Sequence, residues 1–342
     1  MMVSIILPIR NEVKYLRRSL ESILNQKLLP EKFEILIADG ISTDGTRDII
    51  ADFVQNFDEI FLIDNPEKIV STGFNRALSI SKGDIIIRVD GHTEISSDYL
   101  ENCLNLIKNI DADCVGGKLD HFSIGIIGTA INYAQTSKFG VGGVVFREGA
   151  QDGRYVDTLA FGAYKREIFS TIGGYDEELI RNQDDEFNFR LIQNGGKIWF
   201  DPIIKSTYYP RTSLIKLFKQ YYYYGLYKIR VMQKRKRFAS IRHVVPLAFV
   251  SSILLSLLLF QYFKIQIPLY TILGSYLLFN IGATLIQLFN NPSNFLSLLL
   301  LPFVYITMHF AYGVGSLLGI FYFINKWGYG ETQDRHFKRE NF

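Results

Sequence analysis

Cysteine is almost absent from this sequence of 342 residues, which holds two, Cys103 and Cys114. Two thiols supply neither a disulfide framework nor a metal-ligand spacing, and both lie among apolar residues, the setting of small core side chains. An excess of one charge is missing as well: 37 Lys and Arg stand against 34 Asp and Glu, a net charge of +3. No strong field therefore points to nucleic acid as a partner. The start, Met-Met-Val-Ser-Ile-Ile-Leu-Pro, has no basic segment and no long apolar one. No signal peptide is expected, and the N-terminal part is expected in the cytosol. Long apolar runs are also lacking up to about residue 240. That much of the chain has the pattern of a soluble domain, large enough for a substantial core.

Three long apolar runs follow, at 244–263, 267–289 and 295–324. A membrane-crossing helix needs roughly 20 apolar residues, so each run qualifies and the last is over-long. Uncharged runs of this length are rare in water-soluble folds. Lys228, Arg230, Lys234, Arg235, Lys236, Arg237 and Arg242 precede the first run, a basic cluster expected on the cytoplasmic side. Three spans would leave the C-terminus outside. The tail residues Lys326, Arg335, Lys338 and Arg339, partly offset by Glu331, Asp334 and Glu340, lean toward the inside instead. The last run, interrupted by Pro302, Gly313, Gly315 and Gly319, has the alternative of a bent or re-entrant hairpin. About three spans are expected.

From residue 1 to about 120, short apolar runs alternate with helical stretches. Strands are expected at 3–8, 33–38, 61–63 and 84–89, with helices at 12–26, 46–55 and 71–81. Alternation of this kind implies an α/β fold with a mostly parallel sheet and helices on both faces. Ligands then bind beyond the carboxyl ends of the strands. Those ends read Pro8-Ile9-Arg10-Asn11-Glu12, then Asp39-Gly40-Ile41-Ser42-Thr43-Asp44-Gly45-Thr46, then Asp64-Asn65-Pro66, then Asp90-Gly91-His92. One Asp-Gly is as easily a turn. Four strand ends with carboxylates or amides at matching positions converge on one sheet edge.

These segments occur with others in order: Asn-Pro-Glu-Lys at 65–68, Gly-Phe-Asn-Arg-Ala at 73–77, Arg-Val-Asp-Gly-His at 88–92, Arg-Asn-Gln-Asp-Asp-Glu-Phe-Asn at 181–188 and Lys-Gln-Tyr-Tyr-Tyr-Tyr-Gly at 219–225. Over about residues 1–230 the sequence resembles the inverting glycosyltransferases of family 2, which have the GT-A fold, and within them the succinoglycan-biosynthesis ExoA-like branch. The resemblance implies that Pro8, Asn11, Glu12 and Asp39 hold the nucleotide base and ribose. It also places Asn75 on the donor side, with Arg88 and Asp90 at the nucleotide sugar. Ser42 and Asp44 have the simpler reading of shaping and capping the next helix.

Asp90-Gly91-His92 corresponds to the family's metal-binding Asp-x-Asp, with His92 in place of the second carboxylate. A divalent cation bridging the diphosphate would neutralise the charge that grows as the sugar leaves. Imidazole suits manganese better than magnesium, so Mn2+ or Mg2+ is expected, with Mn2+ favoured. Inversion needs a base beside the acceptor hydroxyl. The family's catalytic Asp aligns with Asp184, and Asp185 is the alternative. The same residues also read as an acidic helix start favoured by the helix dipole. Gln183, Gln220 and Tyr224 are expected on the acceptor side. At 220–224 tyrosine stands where processive synthases have Arg and Trp, which implies one-sugar addition. Lys216, Lys219 and Arg211 are candidate replacements for the lost cation. The same stretch, 213–236, also reads as a basic amphipathic helix on the bilayer.

The expected layout is a GT-A domain at 1–212, an interfacial helix at 213–243, a transmembrane region at 244–324 and a polar tail at 325–342. The expected activity is inverting, non-processive transfer of a hexose from a UDP-sugar to a lipid-linked saccharide, in exopolysaccharide or cell-surface glycan synthesis. The expected site of action is the cytoplasmic face of the plasma membrane, with a multi-pass anchor. A nucleotidyltransferase would carry a basic, Gly-rich triphosphate loop where Pro8–Glu12 stands. A non-catalytic scaffold or lipid-transport subunit with a degenerate transferase domain would not need Asp90, His92 and Asp184.

Overall fold

A computed structural model describes residues 1–27, 32–123, 125–209, 213–236, 240–328 and 330–337. Arg211, Arg237, Lys338, Arg339 and Glu340 lie outside the described residues. The chain begins β1 (Val3–Ile9), α1 (Leu16–Leu24), β2 (Phe33–Asp39), α2 (Thr46–Asn56), β3 (Ile60–Asp64), α3 (Val70–Ile80), β4 (Ile85–Arg88) and β5 (Thr93–Ile95). It continues with α4 (Tyr99–Asn109), β6 (Cys114–His121), α5 (Gly125–Gln135), α6 (Lys138–Val141), α7 (Val145–Glu148), β7 (Arg154–Tyr155), β8 (Ala163–Lys165), α8 (Arg166–Ile172), α9 (Gln183–Gln193) and β9 (Ile198–Tyr208). Then come α10 (Leu214–Arg235), α11 (Val245–Phe263), α12 (Ile267–Asn290), α13 (Phe295–Leu298) and α14 (Leu301–Tyr322).

Two compact units form. The first holds residues 1–120, 145–209 and 332–342, and the second 121–144 and 210–331. Among the described residues of the first, nine strands make one mixed sheet, ordered β3-β2-β1-β4-β8-β6-β9-β5 with β7 on β9. This is the expected α/β fold. Every residue of β1 is buried, as fits a central strand covered on both faces. On α1, Leu16, Leu20 and Ile23 recur at helical spacing and are fully buried, which fixes that helix on the sheet. The parallel strands β1, β2 and β3 pair in a register that sets Ile9 opposite Asp39 and Asp39 opposite Asp64. Their carboxyl ends are therefore level, and the polar residues after them emerge side by side. Beyond β4 the sheet turns antiparallel through β8.

The end of the chain returns to this unit. Gly174 donates its N–H to Asp334 at 3.1 Å, and His336 binds Glu177 through its backbone N–H at 2.9 Å and its Nδ1 at 2.8 Å. Phe337 is buried. Nothing in the sequence pattern of the tail signals this docking.

The second unit is helical. Leu217 and Tyr221 of α10 share an apolar cluster with Ala130, Ile131 and Ala134 of α5 and with Val304, Tyr305 and Met308 of α14. The Gly-rich run after Phe139 starts in this unit: Ser137 caps α6, its hydroxyl meets the Tyr305 hydroxyl at 3.0 Å, and Phe139 packs edge-on to Tyr305. Three helices are long and apolar enough to cross a membrane: 241–263, 267–290 and 301–322.

Candidate active site

The level ends of β1 and β2 carry two loops that fasten each other. Asn11 donates its N–H to Ser42 Oγ at 2.8 Å, and Thr43 returns its N–H to Asn11 Oδ1 at 3.0 Å. Glu12 N–H donates to Thr46 Oγ1 at 2.8 Å. Asp44 accepts from Val13 and Thr46, so Asp44 braces the loop in front of α2. Asn11 and Ile41 sit at φ 55° and 53°. A β-branched residue in that region is strained, a condition that clusters at functional sites.

Asp39 lies beneath this network and is fully buried. Its Oδ2 accepts the Ser42 N–H at 3.0 Å and pairs with Arg47 Nε at 3.0 Å, while Oδ1 accepts from the Ser42 hydroxyl. The carboxylate is thus held from three sides by the loop whose backbone it shapes. Arg47, the second residue of α2, was not singled out by the sequence; no spacing rule ties it to Asp39.

Past β4, the chain passes close over the first loop. A Cβ on Gly91 would lie 2.8 Å from Ile9 and 3.1 Å from Glu12, so only glycine permits that approach. The approach brings His92 Nδ1 within 2.9 Å of Glu12 Oε1, and the imidazole edge packs on Tyr208. Glu12, expected at the nucleotide, is in this structure the partner that orients His92.

Arg88 joins the two halves of the site. Its Nε and Nη2 donate to Asp90 Oδ1 at 3.0 and 2.8 Å, and its Nη1 lies 3.6 Å from Asp184 Oδ2. The guanidinium sits 5.8 Å from the centre of the Tyr175 ring. Burial opposes its charge, but Asp90, Tyr175 and Asp184 outweigh burial and hold it more firmly protonated than a free arginine. Asp184 is the second residue of α9, whose N-cap Asn182 sits at φ 63°. Its side chain is 42% exposed and its Oδ1 accepts the Asp185 N–H at 2.9 Å. Glu186 is fully buried and pairs with Arg190 at 3.0 Å. Of the three acids at the helix start, Glu186 is therefore a structural one, because Arg190 also donates to the carbonyl of Gly174 at 2.6 Å. Gln183 is buried beside Asp184, and its Oε1 has no hydrogen-bond partner among the described residues.

Several expected residues sit elsewhere. Pro8 is buried inside β1, opposite Ala38. Asn75 does not reach a donor-facing edge. It is fully buried, donating to Tyr175 O and Glu177 Oε1 at 2.8 Å each and accepting the Tyr175 N–H at 2.8 Å. It pins the turn that presents Tyr175 to Arg88. Asn75→Ala should leave these groups unpaired and destabilise the fold by about 2 kcal/mol, read as a lowered Tm. An unchanged Tm would remove that role. Gln220 and Tyr224 belong to the second unit, where Gln220 Nε2 donates to the Tyr224 hydroxyl at 2.9 Å.

The tyrosines of the first unit add a pH signature. Burial pushes the Tyr175 phenol up to about 12 despite the opposing Arg88, and pushes Tyr99 and Tyr164 up as well. In the unfolded chain these groups ionise near pH 10. Above that pH the unfolded state binds fewer protons than the folded one, so stability falls as pH rises. Thermal melts should show a Tm level up to pH 10 and dropping between pH 10 and 12. A flat Tm through that window would contradict the burial.

Among the described residues no three His, Cys, Asp or Glu side chains come together as a ready metal cage. Asp90 and His92 still fit a cation that arrives with a diphosphate. Arg88 donates to Oδ1 of Asp90 and Glu12 meets Nδ1 of His92, so a cation held by this pair would find one carboxylate and one imidazole already oriented. A carboxylate behind a ligating histidine is the usual outer-shell support, and phosphate oxygens and water would complete the shell.

The family model described as Glycosyl transferase family 2 matches residues 4–173. The chain is 33% identical over 246 residues to the succinoglycan biosynthesis protein ExoA of Rhizobium meliloti (strain 1021), covering 71% of this chain and 74% of that one. It is 31% identical over 272 residues to the dolichyl N-acetyl-alpha-D-glucosaminyl phosphate 3-beta-D-2,3-diacetamido-2,3-dideoxy-beta-D-glucuronosyltransferase of Methanococcus voltae, covering 76% and 84%. Among solved structures, the mannosyltransferase PcManGT from Pyrobaculum calidifontis, in complex with GDP-Man and Mn2+, shares the fold at TM-score 0.59 and 15% identity, over 92% of this chain and 86% of that one.

Proposed function

The chain belongs to glycosyltransferase family 2, and on that premise we propose that it moves a hexose, with inversion, from a UDP-sugar to a lipid-linked saccharide. The observation that carries this reading is the single guanidinium of Arg88, which touches Asp90 on the donor side and Asp184 on the other. Asp184 is the base. It takes the acceptor hydroxyl proton as that oxygen attacks the anomeric carbon from the face opposite the diphosphate. The bond from that carbon to the diphosphate oxygen breaks, and the electron pair leaves with the nucleotide. Asp90 and His92 would hold a divalent cation, Mn2+ or Mg2+ with Mn2+ favoured, and its charge would offset the one growing on the leaving group. Arg88 keeps the two carboxylates in register through the step. Gln183 Oε1, buried without a partner among the described residues, suits a sugar hydroxyl donor, since an unmet buried acceptor costs about 1–3 kcal/mol until it is filled.

The lipid-linked acceptor rests on two supports. Three helices of the second unit are long and apolar enough to cross a membrane, and the Methanococcus voltae relative is named for a dolichyl phosphate-linked substrate. Transfer of a single sugar rests on Tyr223 and Tyr224, which stand where processive synthases have Arg and Trp. The proposed setting is the cytoplasmic face of the membrane, in exopolysaccharide or cell-surface glycan assembly.

A donor screen on membranes tests the reading. UDP- and GDP-hexoses are offered with polyprenyl diphosphate-linked saccharides, and nucleotide release is followed. UDP release that needs acceptor, stops in chelator and returns better with Mn2+ than with Mg2+ is expected. Transfer that persists in chelator, or from GDP-sugars alone, would sink it. His92→Ala should raise the Mn2+ needed for half-maximal activity by about 10-fold or more. An unchanged metal titration would take His92 out of the site.

A further inference from the structure

Three helices qualify as spans by length and composition, yet the chain re-enters the unit it left. Tyr209 ends the first unit's sheet region and Thr332–Phe337 packs inside that same unit. None of the three candidate spans lies there. A chain that leaves a water-exposed unit and returns to it crosses the bilayer an even number of times.

The odd helix can be identified from its partner. Within the second unit, α14 runs parallel to α10 in contact along its whole length. A Cβ on Gly315 would lie 2.0 Å from Tyr222 O, and one on Gly319 would lie 2.7 Å from Leu226 O. Further along, Arg230 Nη1 donates to Lys326 O at 2.9 Å and Lys234 Nζ to Glu331 O at 3.1 Å. What holds for α10 therefore holds for α14. α10 carries Lys216, Lys219, Lys228, Arg230, Lys234 and Arg235. Its uncharged middle, residues 220–227, is roughly 12 Å long, against a hydrocarbon core of about 30 Å. Such a helix cannot cross, and a helix bound alongside it stays at the same depth. α14 is also one-sided. Val304, Met308 and Ala311 are buried while Phe303, Ile306, Phe310 and Phe321 are exposed. Over its most apolar stretch 44% of the residues are buried, against 11% for the other two helices.

We infer that the chain crosses the bilayer twice, through α11 and α12, and that α14 lies with α10 in the lipid interface, its exposed apolar stripe set among the upper acyl chains. The tail then returns to the transferase unit on the side where that unit began. The inference does not depend on which side that is, nor on the donor or acceptor.

Single cysteines at exposed positions outside the site test it: Asp58→Cys, Ile265→Cys, Ser293→Cys and Arg335→Cys. The native Cys103 and Cys114 are buried and silent. A membrane-impermeant maleimide is applied to sealed membranes of either orientation and again after permeabilisation. Asp58, Ser293 and Arg335 should label from one side and Ile265 from the other. Arg335 labelling with Ile265 would mean a third crossing, and Ile265 labelling with Asp58 would mean that α11 does not cross; either overturns the inference. Spin labels at Phe303, Phe310 and Phe321 give a second reading. In-plane α14 predicts one shallow depth for all three, and a crossing helix predicts a deep Phe310 between two shallow ends.

Discussion

Asp184→Asn should lower kcat by about 10^3-fold while leaving donor affinity within about twofold. The amide has the size of the carboxylate, and its oxygen can still accept the Asp185 N–H that Asp184 Oδ1 now accepts at 2.9 Å. What it cannot do is take a proton. Stability should change little, since the side chain is 42% exposed. The neighbouring acids sharpen the reading. Asp185→Asn should cost far less activity, because Arg88 approaches Asp184. Glu186→Gln should also lose activity, but through the fold: it breaks a fully buried pair with Arg190, a change that costs about 3–5 kcal/mol. Initial rates together with Tm separate the three. Full transfer by Asp184→Asn, or a larger loss in Asp185→Asn at unchanged Tm, would move the base to the other carboxylate.

Much of this was legible because parallel strands make a simple code. Apolar runs followed by acidic or amide residues marked the ends of β1, β2, β3 and β4, and the register that levels Ile9, Asp39 and Asp64 turns that code into a shared edge. The partners of those residues were harder to read. Glu12 meets His92 from 80 positions away, and only the close passage at Gly91 makes the contact possible. Asn75 was expected on the donor side. On α3, though, Ser71, Thr72, Gly73, Phe74, Asn75, Ala77 and Leu78 are all buried, so no polar stripe exists for a helical period to reveal. The docking of Asp334 and His336, and the drafting of residues 121–144 into the helical unit, leave no periodic trace at all. The last apolar run satisfied every length rule for a span. Its glycines gave the hint, because they let α14 approach the charged α10.

Replacing Arg88 should do the greatest damage after the base. Arg88→Lys keeps the charge but not the shape. One ammonium cannot place two donors on Asp90 Oδ1 and also lean toward Asp184, so kcat/KM should fall by about 10^2-fold, roughly the 2.7 kcal/mol of one well-placed transition-state donor. Arg88→Ala should fall further and also lower Tm. It empties the space beside Tyr175 and leaves Asp90 and Asp184 facing each other with no cation between them. Guanidinium added at millimolar concentration should recover part of the Arg88→Ala rate by entering that space, and should do nothing for Asp184→Asn. The pair of results separates a lost positioning group from a lost proton acceptor. If Arg88→Ala keeps the parental rate, or if guanidinium rescues neither rate nor Tm, then Arg88 does not couple the donor side to the base.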